Sequence, residues 1–304
     1  MSPAPAATQR DNLTGIVFMM AGSAAFICND TIVKLVGAQL PPGEIITIRG
    51  LFGTSFLLAA SLWFGALHWP AGALFRRPYV MMLIGQLGST ITFVTSLMHM
   101  KLSDANGIQQ VQPLAVTAAS AIFLAEPVGW RRWLAALVGL IGVLLIIKPG
   151  TSAFEPYALL AASCVLFVVF RDLGTRSVAA GVPSLLLALS SSVVVTCAGL
   201  AMRLGETWVV PAPATVAVMA GGAALLVTGY LCVTRAVRIG QLSVVSPFRY
   251  ASTIYAVLLQ LAIWGQLPDR WSLIGMTIVI GAGLYTFHRE QIRGRGLSES
   301  SNGP

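Results

Sequence analysis

Ile108-Gln109-Gln110-Val111-Gln112-Pro113-Leu114, running on to Glu126-Pro127-Val128-Gly129-Trp130, is the stretch whose reading decides the fold. It has a counterpart in Leu242-Ser243-Val244-Val245-Ser246-Pro247-Phe248, which runs on to Gln266-Leu267-Pro268-Asp269-Arg270-Trp271. Each places a proline after a polar residue inside an apolar run, and each closes with Pro-x-x-Trp before a glycine-bearing apolar segment. A proline in a helix interior removes one backbone hydrogen bond and crowds the preceding turn. In lipid, the freed groups need protein or a water-filled cavity to cover them. Helices interrupted at corresponding places in two halves point to a binding site near the membrane midplane.

Composition requires lipid as the solvent. The 304 residues are 56% hydrophobic and only 10% charged, with a mean hydropathy of +0.79. A soluble domain carries about 25% charged residues. The net charge of +8 comes largely from arginines in short loops between apolar runs. That is the pattern of membrane orientation rather than of a nucleic-acid-binding face.

Working outward, ten apolar segments are long enough to span a membrane: 13–36, 44–66, 78–99, 103–125, 129–147, 156–176, 183–203, 213–236, 241–264 and 271–288. Connections are short and carry turn formers such as Pro41-Pro42-Gly43 and Lys148-Pro149-Gly150. The N-terminus lacks the features of a cleaved signal, so the first segment reads as a retained span. The tail from 289 to 304 is charged and rich in Ser and Gly, and is expected to be disordered and cytoplasmic. With the N-terminus inside, Arg10, Arg76, Arg77, Arg131, Arg132, Arg171, Arg176, Arg235, Arg238, Arg289, Arg293 and Arg295 face the cytoplasm. Only Lys34, Lys101, Lys148, Arg203 and Arg270 face the other side. Twelve against five places both termini in the cytoplasm.

Residues 1–150 and 151–288 each hold five spans. An odd number per half makes the second half enter from the opposite face. The expected fold is therefore an all-α integral membrane protein of ten transmembrane helices, built as two inverted five-helix repeats around a central cavity. The halves are unequal: Pro113 to Pro127 is 14 residues and Pro247 to Pro268 is 21.

Several motifs in this order resemble the drug/metabolite transporter superfamily, specifically its EamA-type ten-helix members. They are Asn29-Asp30-Thr31-Ile32-Val33-Lys34 late in span one, Glu44 and Arg49 opening span two, and the Gln112-Pro113 and Ser246-Pro247 pairs. Glu126-Pro127, Gly265-Gln266-Leu267-Pro268 and Ser246-Pro247-Phe248-Arg249-Tyr250 complete the set. One departure is Gln266, where the pattern more often has Glu. The resemblance covers nearly the whole chain and implies export of small metabolites from the bacterial cytoplasm across the inner membrane. Within the family the chain is similar to exporters of aromatic and other hydrophobic amino acids; export of drugs or other small metabolites is the alternative. The implied partners are the small-molecule substrate and membrane lipid. No nucleic acid, obligate protein partner or cofactor is expected.

Polar residues at membrane depth are candidates for function. Asp30 and Arg49 lie at similar depth, with Lys34 four residues from Asp30 as another partner. The set reads either as a structural ion pair or as a gate or coupling site. Gln109, Gln110 and Gln112 fan around the helix before Pro113, so at least one faces the interior. An amide donates and accepts, which suits a zwitterion; the same amides can also patch the bonds that Pro113 disturbs. Arg249 and Tyr250 follow Pro247, and the arginine either meets a substrate carboxylate or holds helices together. Gln86, Thr90 and Phe93 share one face of span three. Asn29 and Ser246 add polar cavity candidates, and Phe26 and Tyr230 add aromatic ones. Pro113 and Pro247 read as helix breaks that work as gates.

The four cysteines lie in apolar segments without metal-ligand spacing. The three histidines, His68, His99 and His288, sit near span ends. Neither His-Glu-x-x-His, a nucleophile elbow nor a phosphate-binding loop is present, so the sequence reads as neither an enzyme nor an ATPase.

Overall fold

The computed structural model describes residues 8–63, 65, 67, 76–123, 129–151, 154–178 and 182–301, with the backbone alone for 242, 243 and 290–301. The Glu126-Pro127 motif and His68 lie outside the described residues. Within them every regular element is a helix: α1 (Gln9–Val36), α2 (Pro42–Trp63), α3 (Arg77–His99), α4 (Leu102–Gln109), α5 (Gln112–Phe123), α6 (Trp130–Ile147), α7 (Tyr157–Ser177), α8 (Ser184–Met202), α9 (Pro213–Ile239), α10 (Leu242–Val245), α11 (Ala251–Trp264) and α12 (Arg270–Ser301). Eight of them are each long and apolar enough to cross a membrane: α1, α2, α3, α6, α7, α8, α9 and α12. The other two expected spans are the broken ones.

Local chemistry sets the ends. Thr8 and Asp11 form a capping box at the start of α1, with Asp11 N–H donating to Thr8 Oγ1 at 3.2 Å and Thr8 N–H to Asp11 Oδ2 at 2.9 Å. Asp269 caps α12 by accepting from the N–H groups of Trp271 (2.9 Å) and Ser272 (3.1 Å). Gly265, at φ 64°, ends α11 in the left-handed conformation that glycine adopts without strain.

The first break falls just ahead of Pro113. Helix α4 stops at Gln109, Gln110 and Val111 make a turn, and α5 starts at Gln112. Gln110 N–H donates to Asn106 O (3.2 Å) and Gly107 O (3.3 Å), and Val111 N–H to Ile108 O (3.3 Å), a tightening toward 3₁₀ geometry. Pro113 is the cause, because its ring crowds the Gln109 carbonyl four residues back and brings no N–H to it. The second break has the same cause. Helix α10 gives way to a five-residue 3₁₀ turn, Ser246–Tyr250, with Pro247 in its first turn, before α11 resumes.

Long helices then pair antiparallel across the two halves: α1 with α9, α3 with α7, α2 with α8, and α6 with α12. Small residues let the backbones approach. A Cβ added at Gly174 of α7 would lie 2.6 Å from the Met82 backbone nitrogen and 2.7 Å from the Pro78 carbonyl of α3. At Gly22 of α1 it would lie 3.0 Å from the Gly229 carbonyl of α9, and at Gly142 of α6 2.8 Å from the Gly275 carbonyl of α12. Leu137, Leu140, Ile141 and Leu144 of α6 stand exposed on the outside of the bundle, as lipid-facing residues do.

One large apolar cluster runs through the bundle, from Val36, Leu40, Ile45, Leu97, Leu102 and Ala158 at the end opposite the chain termini to Leu114, Ala135 and Ala282 nearer the termini. Two smaller clusters lie toward the termini. One is Val116, Ala119, Val169 and Leu173, and the other is Met19, Ala236 and Val245. The expected disordered tail differs from what is observed, since α12 continues as helix to Ser301. The segment after the span, beginning Arg289-Glu290-Gln291-Ile292-Arg293, has no proline and is rich in helix formers.

Gly174→Ala is expected to lower thermal stability by about 1–3 kcal/mol, because the methyl meets rigid backbone rather than a movable side chain. Gly221→Ala, where nothing lies within 4 Å of the added carbon, should be neutral. Thermal unfolding of the two variants in one detergent checks the contrast.

Candidate functional site

Buried side chains stitch the two broken spans together. Gln110, in the α4–α5 turn, donates from Nε2 to Ser252 Oγ at 2.6 Å and to Asn106 Oδ1 at 3.1 Å. Ser252 and Thr253, just past the 3₁₀ turn, both reach Asn106 Oδ1 at 3.4 Å. All four are buried. One turn further along, Gln260 accepts from the Leu102 backbone N–H at 2.9 Å, which caps the start of α4 from α11. Gln109 leaves this cluster and turns to α7, donating from Nε2 to the Ala161 carbonyl at 3.1 Å while Gln112 donates to its Oε1 at 2.5 Å. The three glutamines thus divide between two neighbours.

Asn106, Ser252, Thr253 and Gln260 were not legible as partners of these glutamines. The signal existed for Asn106, which stands four residues before Gln110 and so on the same helix face. The residues from α11 had none, because their partner is far off in the chain.

Asp30 of α1 and Arg49 of α2 face one another without touching. Each is the leading opposite charge acting on the other, yet among the described residues they make no contact ion pair. Both are half-buried. Asn29 Nδ2 donates to Asp30 Oδ1 at 3.0 Å. Lys34 is engaged elsewhere: its Nζ donates to the carbonyls of Met100 (2.5 Å) and Leu97 (3.3 Å) and lies 5.4 Å from the Trp264 ring. The C-terminal carbonyls of α3 attract it more than Asp30 does, through the helix dipole. Cys164 of α7 donates from its thiol to the Ser89 carbonyl of α3 at 3.4 Å.

The other sequence candidates scatter. Gln86 donates to Thr90 Oγ1 at 3.1 Å within α3, and Phe93 packs on the large core. Phe26 covers Gly229 of α9, and Tyr230 next to it is exposed. Ser246 is buried at the head of the 3₁₀ turn. Arg249 is exposed beside Phe248, where Arg171 and Asp172 of α7 are the charges nearest in effect. Arg171 and Asp172 pair with each other at 2.9 Å. Tyr250 turns away toward α12, packing edge-on to Phe287 with ring centroids 6.5 Å apart. Arg249 and Tyr250 thus point to different surroundings.

The face opposite the termini is also locked by polar contacts. Glu206 accepts from the Gly43 N–H at the start of α2 (3.0 Å), and Glu44 from the Val209 N–H (3.2 Å). Lys101 donates to the Leu267 carbonyl at 3.2 Å. Lys148, in left-handed conformation at the end of α6, forms an ion pair with Asp269 and reaches Ser272 Oγ at 3.3 Å. Partial burial pushes the Asp269 carboxyl up, but the hydrogen bonds from Lys148 and the Ser272 N–H outweigh it and hold it at about 2. Among the described residues, no group of three His, Cys, Asp or Glu could hold a metal ion.

Comparison with known proteins agrees with this architecture. Residues 13–148 match the EamA-like transporter family. The chain is 26% identical to an S-adenosylmethionine uptake transporter of Rickettsia felis, over 92% of this chain and 94% of that one. It is 24% identical to the pseudopaline exporter CntI of Pseudomonas aeruginosa, over 88% and 94%. A riboflavin transporter of Vibrio cholerae matches at 25% over 55% of this chain and 56% of its own. A solved crystal structure shares the fold with a TM-score of 0.60 at 18% identity, over 90% of this chain and 95% of that chain.

Gln110→Ala removes its bonds to Asn106 and Ser252 inside the membrane and should cost about 1–3 kcal/mol. A double-mutant cycle with Ser252→Ala is expected to give a coupling of about 0.5–1.5 kcal/mol, and additivity would show that the two spans are not joined here. The Asp269 carboxyl titrates below its unfolded value of 3.8. Its stabilising effect is therefore complete above that value and lost as pH falls toward about 2. The melting temperature of Asp269→Asn should lie below wild type at neutral pH and converge with it in acid.

Proposed function

We propose that this chain, whose residues 13–148 match the EamA-like transporter family, exports an aromatic or other hydrophobic amino acid from the bacterial cytoplasm by alternating access. That it is a membrane transporter of small metabolites follows from the family and the relatives; substrate and direction are our reading. The observation that carries it is the row of polar locks at the face opposite the termini, where Lys148 pairs with Asp269 while Glu206 and Glu44 accept from the Gly43 and Val209 N–H groups. Such locks hold that end closed, and charge counting makes it the outer face.

The helix pairs support an inverted relation between the halves. Exchanging each span with its counterpart five spans along carries α1–α9 onto α7–α3 and returns α2–α8 and α6–α12 to themselves. Two arrangements related by that exchange, one open to each side, are what alternating access needs. The broken spans are counterparts as well, so the same exchange moves the closed end from one face to the other. S-adenosylmethionine, named for one set of relatives, itself carries an α-amino carboxylate. That supports an amino-acid headgroup as an element shared with those relatives.

Purified full-length chain in proteoliposomes of known orientation tests the reading. Vesicles loaded with phenylalanine, threonine or a cationic dye are expected to release phenylalanine faster than threonine, with movement from the cytoplasmic to the outer face. Transport of the dye and of neither amino acid would replace this reading with drug export, for which Asp30 would be the carboxylate at membrane depth that meets a cation.

A further inference from the structure

The last turns of α1 and α7 carry the same pattern at opposite faces of the membrane. Asn29-Asp30-Thr31-Ile32-Val33-Lys34 near the end of α1 lines up with Arg171-Asp172-Leu173-Gly174-Thr175-Arg176 near the end of α7. Each has an aspartate and, four residues on, a cation one turn nearer the helix end. In each, the residue before the aspartate donates to it: Asn29 Nδ2 to Asp30 Oδ1 at 3.0 Å, and Arg171 Nε to Asp172 Oδ1 at 2.9 Å. The helices two spans further on, α3 and α9, correspond as well. Helix α3 ends at His99, with Met100 extended at its cap and Lys101-Leu102-Ser103 next. Helix α9 ends at Ile239, with Gly240 extended at its cap and Gln241-Leu242-Ser243 next. That register makes Val237 and Gly240 the counterparts of Leu97 and Met100.

At the outer face the cation has closed on its target. Lys34 Nζ donates to the Leu97 and Met100 carbonyls at the end of α3, and it lies 5.4 Å from the Trp264 ring at the end of α11. A cation is drawn to the terminal carbonyls of a helix, where the dipole adds to the hydrogen bonds. Helix α3 packs against both α1 and α2. At the cytoplasmic face, α9 makes no comparable packing against α7 or α8 among the described residues. There Arg176 Nη1 donates to Ser120 Oγ of α5 at 3.1 Å. The halves therefore differ at these ends: α1 is fastened to α3, and α7 stands away from α9.

We infer that Lys34 and Arg176 are alternating latches. Lys34 fastens α1 to the terminal carbonyls of α3 while the outer face is closed. Arg176 fastens α7 to the Val237 and Gly240 carbonyls of α9 when the cytoplasmic face closes. The exchange of halves that carries α1 onto α7 carries α3 onto α9, so one hold is given up as its equivalent forms. Trading equivalent contacts keeps the two arrangements close in free energy, as passage between them requires. The latches rest on the alternating-access reading above and not on the identity of the substrate.

Spin-label distances in the full-length chain, held in lipid nanodiscs with its four cysteines replaced, test this. Labels at Gln39 and His99 report the outer ends of α1 and α3, and labels at Ser177 and Arg238 report the cytoplasmic ends of α7 and α9; all of these positions are exposed. The two distances are expected to alternate, one long where the other is short. Lys34→Met should raise the ratio of outward-open to inward-open molecules about tenfold, the weight of a charged hydrogen bond, and Lys34→Arg should raise it less. Trp264→Leu, which removes only the ring, should shift the ratio the same way by about twofold to fivefold and serves where Lys34→Met fails to fold. Arg176→Met is compared in a Ser120→Ala background, so that its present bond to Ser120 does not count, and should lower the ratio about tenfold. Unchanged ratios, or Lys34 and Arg176 variants that shift it in one direction, overturn the latches and leave alternating access standing. Distances fixed at both ends in every variant overturn alternating access itself, and the latches with it.

Discussion

A proline within a lipid-immersed helix leaves a carbonyl without its donor, and much of this structure answers to that. Pro113 ends α4 at Gln109, and Pro247 turns the start of its span into a 3₁₀ coil. Neither defect can face hydrocarbon, so both spans have to lie inside the bundle. Once inside, they bring polar side chains with them. Gln110, Asn106, Ser252 and Thr253 satisfy one another across the two breaks. The polar interior of the protein is in this sense a consequence of its two interrupted helices.

Around these spans stand four antiparallel pairs, each with one helix from either half. Glycine contacts bring backbone against backbone at Gly174, Gly22 and Gly142. Such contacts are stiff, because a backbone cannot rotate away as a side chain can. Stiff pairs of this kind can tilt as blocks. One large apolar cluster runs between them, with two smaller ones toward the termini.

Charge is placed with the same economy. The ion pair of Lys148 with Asp269 and the lysine contacts of Lys34 and Lys101 gather at the closed face, where they hold helix ends. Deeper in, Asp30 accepts from Asn29 and makes no contact ion pair with Arg49 among the described residues.

Sequence alone determined the features that local chemistry and the solvent dictate. The apolar runs specified lipid, the expected spans coincide closely with the helices, and Pro113 and Pro247 located both breaks. Its reach ended where a residue's partner lies far along the chain. Lys34 was as plausible a partner for Asp30 as Arg49 until α3 was seen to offer its terminal carbonyls. Adjacent residues Arg249 and Tyr250 read as one site; the structure adds that Arg249 is exposed while Tyr250 is buried against Phe287 of α12. Gln260 and Ser252 carried no signal, since an amide or hydroxyl in an apolar helix says that a partner exists but not which. Only the tertiary structure decided those pairings, because hydrogen bonds and charges act over a few ångströms while the sequence orders residues by covalent distance.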